Sequence, residues 1–150
     1  MPQLASLKAL SQDVAALQKQ YLAAGDTPSV ETLTQAALML ANGLRSGDGD
    51  KFVIKQLVGN AIEAIMLSQL DPNGRYDFIG GKSPNDRLAE IKEQKASLNG
   101  LRQAMQDALP DMTEAELLSY TERQRLYGEL DAMRWLQQRR NTTSSPERPQ

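Results

Sequence analysis

Residues 51–70 read Lys51-Phe52-Val53-Ile54-Lys55-Gln56-Leu57-Val58-Gly59-Asn60-Ala61-Ile62-Glu63-Ala64-Ile65-Met66-Leu67-Ser68-Gln69-Leu70. The apolar positions recur at helical spacing for about five turns, too long for the strand that Lys51 to Val58 alone would suggest. The segment is apolar around most of its circumference, and such a helix belongs in the middle of a bundle. Lys55, Gln56, Asn60 and Glu63 interrupt it, which argues for a buried helix and against a membrane span. These four are expected to form its narrow exposed edge. Gly59 and Ala61 would let a neighbouring helix approach closely.

Working outward, four more helices are expected. On residues 3–24, Leu7, Leu10, Val14, Leu17, Tyr21 and Ala24 form an apolar stripe at spacings of three and four. Gly25-Asp26 ends that helix, and Thr27 reads as an N-cap ahead of Pro28. Residues 28–45 carry a second stripe of Val30, Leu33, Ala37, Leu40 and Leu44, and Asp50 is placed to cap helix 51–70. Ser83-Pro84 opens a fourth helix, 84–109, with Leu88, Ile91, Leu98, Leu101 and Met105 inward. Thr113-Glu114-Ala115-Glu116 is a capping box that starts a fifth, 114–140, with Arg139 and Arg140 at the end where the helix dipole favours cations. Residues 141–150, rich in Thr, Ser and Pro, have nothing to bury and are expected to be a disordered tail.

The fold class is therefore all-α. About five antiparallel helices form one domain, as a bundle or short helical-hairpin array with helix 51–70 central, because short links make sequential helices antiparallel neighbours. No tandem repeat is present, and the tetratricopeptide pattern is not met. The stretch Leu57 to Asp71 resembles helical segments of uncharacterised bacterial envelope proteins, without pointing to one family.

Composition removes whole classes of chemistry. Cysteine and histidine are both absent, so thiol nucleophiles, thiolate metal sites and imidazole acid–base groups are excluded. The net charge is -2 and evenly spread, which gives nucleic acid or anionic lipid nothing to recognise electrostatically. On the last helix Arg123, Arg125, Arg134, Arg139 and Arg140 face comparable numbers of acids, so a mixed-charge solvated surface is expected. Tyr120, Tyr127 and Trp135 read as packing anchors. Gly80-Gly81-Lys82-Ser83 resembles the end of a phosphate-binding loop, but Tyr76 stands where that motif needs glycine. Asp71, Asn73 and Asp77 have the oxygen spacing of a calcium loop, but Tyr76 and Lys82 stand where Gly and Glu are needed. No metal or other cofactor is expected. Glu63 is the one acid whose burial could make a catalytic base, set against its place on the polar edge.

The longest connection, residues 71–83, carries Arg75, Tyr76, Asp77, Phe78 and Ile79. Apolar residues in a loop this long either tuck onto the core or face a partner. Phe78 and Ile79 are expected to turn inward and Tyr76 to sit at the rim, and the five residues together are the candidate partner-binding loop. The first functional expectation is a non-catalytic helical protein–protein interaction or scaffold module. The alternative is a hydrolase-type enzyme using carboxylates, Tyr or Lys without His, Cys or metal. The expected partner is a protein, a second copy of the chain being admissible; nucleic acid and direct membrane insertion are not expected. The expected setting is the cytoplasm, or the soluble extracytoplasmic part of a longer anchored protein.

Overall fold

A computed structural model describes residues 2–47 and 52–143. All regular elements among them are helical: α1 (Pro2–Ala23), α2 (Thr27–Arg45), α3 (Val53–Leu67), α4 (Pro84–Ala108), α5 (Glu114–Tyr127) and α6 (Glu129–Thr143), with short 3-10 turns at Asp77–Ile79 and Leu109–Asp111. None of the described helices is long and apolar enough to cross a membrane. The expected Asp50 cap lies outside the described residues, as does the tail from residue 144 on. Residues 141–143, assigned to that tail, complete the last turn of α6.

Six helices replace the expected five because the segment 114–140 breaks at Gly128. Its φ of 95° is open to glycine and strained for other residues. The chain folds back there: Arg123 pairs with Asp131 at 2.5 Å and Glu116 with Arg139 at 3.6 Å, so α5 and α6 run antiparallel. The reversal carries Tyr120 into a core cluster with Leu98, Leu101, Leu130, Met133 and Leu136. Tyr127 stays exposed with Arg123 over its ring, while Trp135 packs at the edge of the cluster, so only two of the three expected anchors pack.

Capping follows the sequence at α4 and α5, with one correction at α2. Ser83 Oγ accepts from Asp86 N–H at 3.1 Å, and Thr113 and Glu116 form the reciprocal box. Helix α2, however, is capped by Asp26, whose Oδ1 accepts from Ser29 N–H at 3.2 Å; Thr27 is already helical. At the start of α3 the side chain of Phe52 makes no capping hydrogen bond. Val53 N–H instead donates to Glu129 Oε2 at 3.1 Å, so the first turn of α6 caps α3 across 76 positions of chain.

Helix α3 packs against α1, α2 and α4. Its closest neighbour is α2, and Gly59 is the reason. A Cβ on Gly59 would lie 2.8 Å from the Ala41 carbonyl oxygen and 2.8 Å from Arg45 Cγ. Ala61, the other small residue expected at a close approach, is exposed. Gly59→Ala should therefore destabilise by about 1–2 kcal/mol in urea unfolding, overpacking outweighing the gain in helix propensity. Gly43→Ala, where added carbon meets nothing within 4 Å, should stabilise by up to about 1 kcal/mol. Equal responses at the two sites would contradict the close approach.

The apolar stripes of α1 and α2 coincide only in part with their buried lines: Val30 and Ala37 are buried and Val14, Tyr21, Leu33 and Leu44 pack against the core, but Leu10, Leu17 and Leu40 lie outward. Among the described side chains of α1 the buried ones are Ser11, Ala15 and Gln18, while Leu10 is 49% exposed and Leu17 38%. On α2 they are Val30, Thr34, Ala37, Leu38 and Ala41, while Leu40 is 40% exposed. A polar pin lies on the buried line of α1. Gln18 is fully buried, and its Nε2 donates to Thr34 Oγ1 at 2.8 Å and to the Met66 carbonyl at 3.2 Å, linking α1, α2 and α3. A buried amide needs hydrogen bonds; the Nε2 end of this one has two, while its Oε1 has none among the described residues, and small Ser11 and Ala15 face inward on the same line of α1.

Candidate functional site

Three places could carry function. The first is the loop, which is a folded unit. Gly74 N–H donates to Asp71 O at 3.1 Å and closes a tight turn. Tyr76 N–H donates to Lys82 O at 3.3 Å, and Gly81 N–H returns to Tyr76 O at 3.0 Å, so an antiparallel bridge closes the loop base. Gly80 and Gly81, both near φ +70°, make the reversal between them. Ile79 is buried with Val30, Leu67, Leu70 and Ile91. Phe78 is only half-buried, contrary to expectation, because its ring stacks on Tyr76 with centroids 5.1 Å apart and the pair shares the edge of the cluster. Arg75 and Asp77 are exposed, and Arg75 Nη1 donates to Gly81 O at 3.1 Å. Among the described residues no three acidic groups converge as metal ligands.

The second place is Glu63. The polar edge read from the sequence is an interior feature: Glu63 is 3% exposed and Asn60 2%. Arg87 reaches across from α4, with Nε 2.6 Å from Glu63 Oε1 and Nη2 3.1 Å from Oε2. Arg45, in the last turn of α2, places Nη1 2.5 Å from Glu63 Oε2 and 2.9 Å from Asn60 Oδ1. Its stem passes over Gly59 to get there. Burial pushes the Glu63 carboxyl up, but hydrogen bonds from Arg87 and Arg45 and their charges outweigh it and hold its pKa below the ordinary carboxylate value. The Arg87 guanidinium is correspondingly held protonated. A general base near neutral pH needs a raised pKa and a free lone pair facing substrate. Glu63 has a lowered one, and both oxygens accept from arginine. It ties three helices together.

The third place was not legible in the sequence, because it is made by the packing of α1 against α2 and α3. An apolar crevice of about 190 Å³ lies between α1 and α2, with exposed Leu10 and Leu40, half-buried Val14 and Leu33, and Ala36 on its walls and Ile62 and Met66 from α3. On the other flank of α1, Leu7, Ile54, Leu57, Val58, Ala61 and Ile65 line a second apolar crevice of about 280 Å³. Helix α1 thus lies as a ridge between two greasy furrows. Met39, 72% exposed, stands next to Leu40 on the outer side of α2.

No protein-family model, curated protein or solved structure matches this chain. The functional reading rests on these three places.

Proposed function

We propose that the protein is a non-catalytic helical interaction module that receives an apolar segment of a protein partner along α1. One observation supports the reading: Leu10 and Leu17 of the α1 stripe and Leu40 of the α2 stripe stay exposed at the edge of the core and line apolar furrows. Leucines left in such a position favour a partner that removes them from water. The furrow walls repeat at helical spacing, Leu10, Val14 and Leu17 on α1 facing Leu33, Ala36 and Leu40 on α2, as suits an amphipathic helix laid in a groove. The candidate loop enters the proposal only through its exposed members, Arg75 and Asp77; Tyr76, Phe78 and Ile79 serve its packing. The hydrolase alternative finds no support at Glu63.

The test compares proteins captured by the wild type with those captured by a Leu10→Glu/Leu40→Glu double variant. The two side chains are 49% and 40% exposed, so the variant should unfold within about 1–2 kcal/mol of the wild type. A partner held by the wild type and lost by the variant is the expected result. A change in sedimentation confined to the wild type would identify that partner as a second copy. Identical captured sets and identical sedimentation would rule the furrows out.

A further inference from the structure

The opposite face of α3 borders a different kind of space. Gln56 and Asn60 lie on the helical face opposite Ile54, Val58, Ala61 and Ile65, and they line a polar crevice of about 480 Å³ closed by α2, α4 and α6. Arg45, Arg87 and Arg134 come to it from three different helices. The first two are tied to Glu63 at the rear, and Arg87 also to Glu90. Arg134 is exposed and makes no ion pair or hydrogen bond with any described residue. Gln94 and Ser97 on α4 likewise have no hydrogen-bond partner among the described residues. Asn60 presents the strongest demand: its Oδ1 accepts from Arg45, but its Nδ2 is buried with no acceptor among the described residues. A buried donor without an acceptor is costly, and an acceptor supplied by a ligand removes that cost.

We infer that this crevice binds a small polar acid, with its oxyanion set between Arg134 and the Asn60 amide. The charge favours an anion: three guanidinium groups, with Lys82 also on Glu90, outnumber the carboxylates of Glu63 and Glu90. Guanidinium forks suit carboxylate and phosphate oxygens alike. The volume exceeds what a bare ion fills and matches a small-molecule pocket. Gln56, Gln94 and Ser97 offer donors and acceptors to hydroxyl groups on the rest of the ligand, while Leu98 and Leu130 supply an apolar wall for its carbon skeleton. The ligand class is a polyhydroxylated carboxylic acid or phosphate ester. The site is separate from the furrows beside α1 and does not depend on them.

The probes are gluconate, glucose 6-phosphate, inorganic phosphate and uncharged glucose, titrated at constant ionic strength and followed by heteronuclear NMR. Saturable shifts of the Asn60 and Gln94 side-chain amides are expected with gluconate or glucose 6-phosphate, and none with glucose. Whichever acid saturates at lower concentration distinguishes carboxylate from phosphate. Arg134→Gln, at an exposed position, should leave the melting temperature unchanged and weaken binding about tenfold or more, since it removes a charged hydrogen bond to the ligand. Gln94→Ala should weaken it less. Saturation by inorganic phosphate alone would mean an anion subsite without the hydroxyl-binding part, overturning the ligand class. No saturation by any probe, or wild-type affinity in Arg134→Gln, would overturn the site itself.

Discussion

Glu63→Leu is expected to destabilise the fold by about 3–5 kcal/mol, the largest effect of any single change considered. The substitution leaves the Arg45 side chain, 13% exposed, without a carboxylate partner, and Arg87, 20% exposed, with only Glu90. An unmatched buried charge is penalised far more than an ion pair is rewarded, because removing the partner leaves the desolvation cost in place. Glu63→Gln keeps the shape and one acceptor oxygen, so its loss should be smaller. The pH dependence follows from the direction of the shift. The folded-state pKa of Glu63 lies below its ordinary value of 4.5. The unfolded chain therefore takes up the proton first on acidification. The contribution of Glu63 is complete above its unfolded pKa and is lost as pH falls through the folded one. Urea unfolding at pH 7 and at stepwise lower pH should show the gap between wild type and E63Q closing on the acid side. A gap of less than about 0.5 kcal/mol at pH 7 would show that the three-helix cluster holds nothing together.

Ile79→Ala is expected to cost about 2–4 kcal/mol, as large-to-small changes in a core do. Ile79 is the one loop side chain fully enclosed, among residues of α2, α3 and α4. Phe78→Ala and Tyr76→Ala should each cost less, since each ring is half-exposed and each loses the same stacking partner. Their double variant should cost less than the sum of the two, because the stack is counted in both single changes. Asp77→Ala should stay within about 0.5 kcal/mol. Thermal or urea unfolding of the set separates anchor from surface. A near-neutral Ile79→Ala would return the whole loop to the status of a partner surface.

The loop and the cluster differ in how far their roles could be read in advance. Turn chemistry at Asn73-Gly74 and Gly80-Gly81, with an apolar residue between, announces a closed loop with an inward anchor, and Ile79 is that anchor. The stacking of Tyr76 on Phe78 is a contact of side chains two positions apart in a backbone shape that only the closed loop adopts. Glu63 is harder. Its partners lie 18 and 24 positions away on two other helices, so an acid on a polar edge reads as solvated until those arginines are placed. The polar crevice has the same origin: Arg134 and Asn60 share no local pattern.

The sequence by itself determined that the chain is helical, where most helices begin, and which residues punctuate them. Those are local effects: Ser83, Thr113 and the glycines act within a turn of their own position. Helical periodicity also marks an apolar face, but that face is about 100° wide or more. Which line within it meets a neighbour was decided by tertiary structure alone. Small Ser11 and Ala15 permit a close approach, buried Gln18 must reach Thr34 and Met66, and Gly59 lets α2 settle against α3. The break at Gly128 was decided in the same way. A glycine inside a helix costs only about 1 kcal/mol, so the sequence permits a continuous helix there. Folding back closes Tyr120 against α4 and α6 and places Glu129 over the first turn of α3, and contacts that distant are what the tertiary fold adds.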